Sequence, residues 1–403
     1  MKILFCNYEY PPLGGGGGVI NALLAQELAK THDVTVLTSQ GLGLPTESVE
    51  NGVRVYRAPV FFRKHEAVAN VGSMFAFMVS GVQMGRKLIQ NNQFDIINTH
   101  FVLPTGPVGH ALARYGGIPN VLSLHGGDLY DPSKALSPHR HAFFRMIVRK
   151  LLREANMVLG QSTNTLDNMR TYYTPEIEGV RIPLAIERPH PECGVRADYG
   201  FAEDEILLVT VGRLVPRKGV DQLITMMQTL RSEGKKVRLL VIGSGPEEEA
   251  LKVAAAEKQV DDAVQMMGFV EESEKMRLLN MADIYVSTSQ HEGFGLVFLE
   301  GMACGLPVVC YNHGGQTDFL RDGHTGYLVE LNELETFTDR VRTLIENPNL
   351  RKGMKEHALE CVEEYFIENC AKKHEVIFGQ TIQSFREARR TWTLQGNPAI
   401  GSD

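Results

Sequence analysis

The sequence predicts an α/β protein built from two doubly wound halves, and three observations carry that expectation. Strand-like apolar runs alternate with helix-period segments along the whole chain, the pattern of parallel sheets covered by helices. The alternation breaks once, near 183–193, where Pro183, Pro189 and Pro191 fall in a stretch of little periodicity that reads as a linker, and then it restarts. At 403 residues the chain is also too long for one ordinary core, so two domains are the default expectation.

Before the break the spacing predicts strands over 3–7, 34–38, 53–57, 95–98, 120–124 and 157–160, with a weaker one at 180–182. After it, strands are expected over 206–211, 237–242, 264–267, 284–287, 307–311 and 326–329. The domains expected are 1–185 and 186–374. The tail over about 363–394 reads as helix, whose part over about 375–395 is expected to pack back on the first domain, and 396–403 reads as disordered. Doubly wound sheets bind ligands beyond their strand C-termini. Two such sheets facing each other place the expected site in the cleft between them.

A hydrophobic content of 43% with 22% charged residues is that of a soluble globular protein. The longest apolar stretch, around Met74 to Gly81, is far short of a membrane span. Polar Asn7, Tyr8 and Glu9 interrupt the N-terminal apolar run too early for a signal peptide. The cysteines (Cys6, Cys193, Cys304, Cys310, Cys361, Cys370) form no C-x-x-C pair and no metal spacing, so a reducing, cytoplasmic compartment is expected. The net charge of −7 is uneven: residues 1–185 carry 17 Lys and Arg against 13 Asp and Glu, the remainder 24 against 35. A positive first half favours anionic lipid headgroups or a charged substrate there. Nothing resembles a nucleic-acid-binding domain.

The most informative stretch is Glu292 to Pro307, EGFGLVFLEGMACGLP. A buried strand precedes it, and Gly305 and Pro307 stop a helix before the next strand. Glu292 is therefore expected on a strand-to-helix loop and Glu300 about one turn inside the helix. The backbone N–H groups of 293–296 form a seat for an anion at the helix N-terminus. Two carboxylates flanking such a seat can hold hydroxyls on either side of a diphosphate, which is the shape of a nucleotide-sugar.

Other candidates also follow strands. Gly14 to Gly18 strip side chains from the first βα loop, so that backbone N–H groups approach a phosphate or sugar, ahead of a helix expected over 19–30. Val19 occupies the third glycine position of G-x-G-x-x-G, so this is not the dinucleotide fingerprint; a merely flexible loop is the bland alternative. His125-Gly126-Gly127-Asp128 ends the strand over 120–124, with room for His125 to face a substrate and Asp128 placed to orient an imidazole N–H; a structural turn is the alternative. In Gly212-Arg213-Leu214-Val215-Pro216-Arg217-Lys218-Gly219, Arg213 and Lys218 are expected to converge on a diphosphate, and Arg217 to be solvated. Gly243-Ser244-Gly245 resembles a nicotinamide loop, but Glu248 stands at the third glycine position, where it would repel a pyrophosphate. Gly243 is expected to line the nucleotide base instead. The basic segment 139–153, with Arg145, Arg149 and Arg153 four residues apart, reads as an amphipathic helix that docks on an anionic membrane, or as a helix on the sheet with a solvated basic face.

Together the glycine-rich loop, the His-Gly-Gly-Asp tetrad, the segment from Gly212 to Gly219 and the E-x7-E glutamates resemble the retaining glycosyltransferase family 4, the glycosyl transferases group 1, with the GT-B fold. The resemblance covers nearly the whole chain and is most specific in the second half. It implies two Rossmann-like domains facing across a cleft. It implies that Glu300 holds the ribose hydroxyls, Glu292 contacts the donor sugar, and Arg213 and Lys218 neutralise the diphosphate. The backbone of Phe294, Gly295 and Leu296 would bind phosphate or sugar. Gly15, Gly16 and Gly17 would close against the donor, and His125 would hydrogen-bond the sugar near the reacting carbon. Two departures stand out: Asp318 where the family usually has Glu, and Ile182 to Glu187 where Asn-Gly-Val-Asp is commoner.

The expected reaction is transfer of a hexosyl unit from a UDP- or GDP-linked sugar to an acceptor hydroxyl with the anomeric configuration retained, in cell-envelope glycan or glycolipid synthesis. The expected acceptor is lipid-linked or a small molecule, handled in the cytoplasm or on the inner membrane face. Retaining glycoside hydrolases set two carboxylates about 5 Å apart around the sugar; here the carboxylates are offered for binding, and the chemistry rests on stabilising the leaving diphosphate. No Asp-x-Asp motif ends a strand, so neither a metal nor another cofactor is expected. The rivals are a same-fold sugar-nucleotide epimerase, a glycan phosphorylase, a transferase for a small soluble acceptor, and a non-catalytic nucleotide-sugar-binding subunit.

Overall fold

The structure, a computed structural model, describes residues 1–61, 70–131, 136–189 and 192–394; Pro191 and the tail 396–403 lie outside them. Two compact units divide the chain, Met1–Ala185 with Ile367–Asp403, and Ile186–Phe366.

The first unit runs β1 (Lys2–Asn7), α1 (Gly16–Ala29), β2 (Asp33–Ser39), β3 (Glu47–Glu50), β4 (Val53–Ala58), α2 (Val71–Asn91), β5 (Ile96–His100), α3 (Thr105–Gly116), β6 (Asn120–Leu124), α4 (Ala142–Glu154), β7 (Met157–Gly160), α5 (Thr163–Tyr172) and β8 (Val180–Arg181). Its sheet has the order β3-β4-β2-β1-β5-β6-β7-β8. Every neighbouring pair is parallel except β3 with β4. Strand β3 is absent from the sequence expectation because its residues alternate only weakly, exposed with half-buried. Asn51 and Gly52, both at positive φ, turn it into β4 as a two-residue hairpin.

The second unit runs β9 (Ile206–Val211), α6 (Val220–Ser232), β10 (Val237–Ile242), α7 (Glu248–Glu257), β11 (Val264–Gly268), α8 (Glu272–Met281), β12 (Ile284–Ser287), α9 (Leu296–Ala303), β13 (Val308–Tyr311), β14 (Gly326–Val329), α10 (Leu334–Glu346) and α11 (Pro348–Val362). Its six parallel strands have the order β11-β10-β9-β12-β13-β14. The long α12 (Ile367–Leu394) returns to the first unit, where Ile367, Cys370, Ala371, Phe378 and Ile382 join the core of β1, β2 and α1. Beside that core Thr31 Oγ1 donates to Glu375 Oε1 at 3.2 Å, and His32 lies 3.1 Å from the same carboxylate.

Strands β1 from Ile3 onward, β5 and β6 are buried on both faces; β1 and β6 therefore read as largely apolar runs, whereas β5 ends in polar Asn98, Thr99 and His100. Each sheet has one place where the strand order reverses: between β1 and β5 in the first unit, and between β9 and β12 in the second. Connections leave such a point on opposite faces of the sheet and open a crevice beyond the strand ends. The loops at those two points are the ones after Asn7 and His100, and after Val211 and Ser287.

Candidate active site

In the second unit the switch point is spanned by an ion pair. Lys218 ends the loop after β9, and Glu292 lies on the loop between β12 and α9; Lys218 Nζ donates to Glu292 Oε1, with both side chains largely buried. Arg217 Nη1 donates to His291 O at 2.8 Å and stands 4.0 Å from Glu292 Oε2, so Arg217 is tied to the site while its side chain stays exposed to solvent, as expected. Burial pushes the Glu292 carboxyl up, but Lys218, with help from Arg217 and Ser289, outweighs it and holds the group below the usual carboxylate range. Gly219 needs its glycine here: at φ +61 a Cβ would lie 2.6 Å from Thr288 O, and that close approach brings the two loops together.

Helix α9 starts after Gly295, whose φ of 94° makes it the left-handed entry to the helix. No acidic residue sits in its first turn and no side chain caps it, so the backbone donors of Phe294, Gly295 and Leu296 face an uncapped helix start. The loop over 312–316 braces this turn: Gly315 N donates to Glu292 O at 2.9 Å, and the buried Gln316 amide donates to Tyr311 O and His313 O. Glu300 falls one turn inside α9 and pairs with Lys275 of α8, Nζ to Oε2 at 2.8 Å; Lys275 also lies 2.9 Å from Glu272. Burial raises the Glu300 carboxyl above its ordinary value and Lys275 offsets only part of that. For Lys275 itself burial pulls down, but Glu300 and Glu272 outweigh it and leave the ammonium raised.

The Arg213 side chain is exposed and makes no hydrogen bond or ion pair among the described residues, while its carbonyl accepts from Val215 N at 2.9 Å. Gly243 takes a backbone role: its N–H donates to Gly268 O at 2.8 Å, and a Cβ there would lie 2.0 Å from Gly212 O. Its missing side chain lets the loops after β9 and β10 cross. Helix α7 carries Glu248 and Glu249 in its first turn, a poor seat for a pyrophosphate.

In the first unit, α1 begins at Gly16 rather than at residue 19, so Gly16, Gly17 and Gly18 form its first turn and Gly15 its N-cap. Glycine is tolerated there because the first N–H groups of a helix lack intrahelical partners in any case. Gly15 N donates to Glu9 Oε2 at 3.3 Å. A Cβ on Gly17 would come within 2.8 Å of Phe101 Cζ. The Phe101 ring in turn stacks on His125, centroids 4.1 Å apart at 24°, from a backbone at φ +68. Asp128 does not orient the imidazole. Its carboxylate accepts from the backbone N–H of His125 at 3.0 Å and of Val102 at 2.7 Å, clamping the loop that carries Phe101 to the loop that carries His125. His125 Nε2 instead meets His100 Nδ1 at 3.1 Å, and its Nδ1 is buried without a partner among the described residues. Burial, then His374, pushes the His125 imidazole down to about 3.

The basic segment is less free than its charge implies. A short turn over Pro138–Arg140 precedes α4, and Val148, Leu151 and Leu152 bury one face. Arg149 Nε donates to Tyr173 O at 2.9 Å, at the C-terminus of α5, where a cation complements the helix dipole. Arg153 pairs with Glu176 at 2.8 Å. Phe143 and Met146 are exposed beside them. No helix among the described residues is long and apolar enough to cross a membrane.

The structure therefore gathers Lys218, Glu292, Phe294, Gly295, Leu296 and Glu300 around one helix start in the second unit, and Gly17 and His125 around Phe101 in the first. Lys275, His100 and Phe101 carry no motif, and spacing alone does not single them out.

Two family models cover most of the chain: Glycosyltransferase Family 4 over residues 14–187 and Glycosyl transferases group 1 over residues 195–360. The chain is 30% identical over 319 residues to a D-inositol 3-phosphate glycosyltransferase of Nocardioides, covering 73% of this chain and 68% of that protein. It is 26% identical to the N-acetyl-alpha-D-glucosaminyl L-malate synthase of Bacillus anthracis, over 94% of this chain and 97% of that one. Among solved structures, sucrose-phosphate synthase from Thermosynechococcus elongatus superposes with a TM-score of 0.81 at 20% identity, over 95% of this chain and all of that one.

Proposed function

Because the chain belongs to glycosyltransferase family 4 and has the GT-B fold, we propose that it transfers a hexosyl unit from a nucleotide diphosphate sugar to an acceptor hydroxyl with retention of configuration. The observation that carries this reading is the Lys218–Glu292 pair at the β9/β12 switch point, beside the uncapped start of α9 and the unpaired Arg213. A diphosphate seated there meets backbone donors, the helix dipole and two cations. Glu300, one turn along, takes the ribose hydroxyls, and Glu292 takes hydroxyls of the sugar once Lys218 turns to the phosphate. His125 hydrogen-bonds the sugar, and Gly15 and Gly16 offer the bare start of α1.

In this reaction the bond from the anomeric carbon to the β-phosphate oxygen breaks, and a bond to the acceptor oxygen forms on the same face. The acceptor proton passes to the departing phosphate oxygen. Arg213, Lys218 and the α9 dipole stabilise the charge that develops on the diphosphate. The donor is a substrate, and neither a metal nor a cofactor enters the scheme.

The acceptor in this proposal is a lipid-linked hydroxyl at the cytoplasmic face of the inner membrane, approached through exposed Phe143 and Met146 beside Arg145 and Lys150 of α4. A second reading, a small polar acceptor, is favoured by the relatives whose names carry malate and inositol 3-phosphate. Cosedimentation with anionic against neutral vesicles separates the two. For the reaction itself, thermal unfolding is screened against UDP-, GDP- and ADP-sugars, where a donor at 100 times its Kd adds about 2.7 kcal/mol. The anomeric configuration of the product is then read by NMR. An inverted product, or no release of nucleoside diphosphate from any donor that binds, refutes the proposal.

A further inference from the structure

Behind His125 lies a hydrogen-bonded chain that reaches into the sheet. Ser123 Oγ donates to Asn98 Oδ1 at 2.9 Å, Asn98 Nδ2 meets His100 Nε2 at 2.8 Å, and His100 Nδ1 meets His125 Nε2 at 3.1 Å. Asn98, His100 and Ser123 are all buried, on neighbouring strands β5 and β6 at the first switch point. Direction along this chain follows from what each atom can do. An amide nitrogen only donates, so His100 Nε2 carries the lone pair and the His100 proton sits on Nδ1. That proton points at His125 Nε2, which must accept, and the His125 proton then sits on Nδ1. Turning the Asn98 amide over would reverse the order, but it would leave the buried Ser123 hydroxyl proton without an acceptor, since Oγ makes no other hydrogen bond among the described residues.

We propose that Asn98 and His100 are positioning residues that fix His125 as its Nδ1–H tautomer, so that this imidazole presents a hydrogen-bond donor, not a lone pair, to a hydroxyl of the transferred sugar. The ring has little freedom to do otherwise. Phe101 stacks on its face, Asp128 holds its backbone N–H, and Gln161 Nε2 donates to its carbonyl at 2.8 Å. Nδ1 is the one ring atom of His125 left buried without a partner among the described residues, and a ligand hydroxyl that accepts from it removes the cost of that unmade bond. Burial keeps both imidazoles neutral near pH 7: His100 is pulled well below its ordinary range by burial and then by His125 and His374, and His125 is pushed down to about 3. Each ring therefore has one proton to place, and the chain decides where.

The identity of the hydroxyl rests on the glycosyltransferase reading, whereas the tautomer does not, and the experiment keeps them apart. Imidazole 15N NMR on the free enzyme is expected to show His125 protonated at Nδ1. Asn98→Asp keeps the shape but replaces the amide donor with an acceptor, so His100 must donate from Nε2 and His125 from its own Nε2. The His125 proton is expected to change nitrogen, and kcat/KM for the donor sugar to fall roughly tenfold, the scale of one hydrogen bond. If that variant does not fold, Ser123→Ala frees the Asn98 amide to turn over, and the His125 signals are expected to show both tautomers. A wild-type His125 protonated at Nε2, or an unchanged tautomer in the folded variants, overturns the positioning role. A Nδ1–H signal that a saturating UDP- or GDP-sugar leaves unmoved overturns the assignment to the sugar, even where the tautomer stands.

Discussion

Replacing Lys218 with alanine tests the second-unit site most sharply, because the structure makes two separable demands on that ammonium. In the proposed reaction it faces the charge developing on the diphosphate, and losing one such preorganised donor costs about 10²–10³ in kcat, or about 3–4 kcal/mol. In the free protein it also holds Glu292, which is 8% exposed. Arg217, at 4.0 Å, is the other cation paired with that carboxylate. Removing one partner of a buried pair costs about 3–5 kcal/mol when the remaining charge stays unpaired. Burial then dominates Glu292, whose carboxyl rises and protonates at higher pH, so part of this cost is escaped by neutralisation. Lys218→Ala alone is thus expected to lower both kcat and the unfolding temperature. Lys218→Met with Glu292→Gln removes the stranded charge, so stability should recover by most of that loss while kcat stays down by at least about a hundredfold. The assays are release of nucleoside diphosphate under saturating donor and thermal unfolding of the wild type and the two variants. Near-wild-type kcat in either lysine variant refutes the role at the diphosphate. A single variant as stable as wild type refutes the claim that the pair anchors the loop.

Lys275→Met leaves Glu300 with its burial and no partner, so its already raised carboxyl climbs further; the donor KM should rise about tenfold near pH 7 and recover as pH increases, and a KM that ignores pH between 6 and 9 contradicts this. Gly17→Ala puts a Cβ 2.8 Å from Phe101 Cζ; the ring must leave its stack on His125, with a loss of about 1–3 kcal/mol in thermal unfolding and a lower donor kcat/KM, and a variant with wild-type stability and kinetics shows that the contact is slack. His125 and His374, mainly through burial, sit at about 3 and about 4 against an ordinary value of 6.5. The unfolded chain therefore binds more protons below 6.5, and their stabilising contribution, complete above that value, is lost as pH falls toward 3–4. Each adds a slope of up to about 1.4 kcal/mol per pH unit, and a flat unfolding midpoint between pH 7 and 5 refutes the buried neutral state.

How far the sequence could be read followed the range of each interaction. Parallel strands such as β1 and β6 are buried on both faces and show themselves as apolar runs, whereas β3 hides because half of its side chains face water. Its only strong local mark is the Asn51-Gly52 turn. The start of α1 moved by three residues because glycine carries no helical periodicity, although it costs little at a helix's first turn. Spacing placed Glu300 one turn inside its helix, since that depends on counting along one element. It could not pair Lys218 with Glu292, 74 residues apart, or find Lys275, whose partner stands on the next helix and which reads in sequence as one more surface lysine. Asp128 looked like a partner for the imidazole because the two share a tetrad; the fold spends its oxygens on backbone N–H groups instead. His100 and Asn98 were invisible for another reason. They stand on either side of Thr99 in the polar end of a short buried strand, and only the register of β5 against β6 turns them into a chain behind His125.

The two carboxylates that flank the α9 start are not equivalent, and the difference bears on mechanism. Lys218 holds Glu292 below its usual range, so it stays ionised, but a carboxylate accepting from an ammonium makes a poor nucleophile. Glu300 is raised by burial and tied to Lys275, and its place one turn down the helix suits hydroxyl binding. A retaining reaction through a glycosyl-enzyme would need one of them ionised, unpaired and free to reach the anomeric carbon. Neither meets that condition in the free protein, and freeing Glu292 requires Lys218 to find another anion. In the proposed reaction the donor's diphosphate is such an anion. There its arrival releases Glu292 to the sugar hydroxyls and brings Lys218 to the leaving group in the same exchange, so that the Lys218–Glu292 pair acts as a reserve for donor binding and the bond change is left to the phosphate.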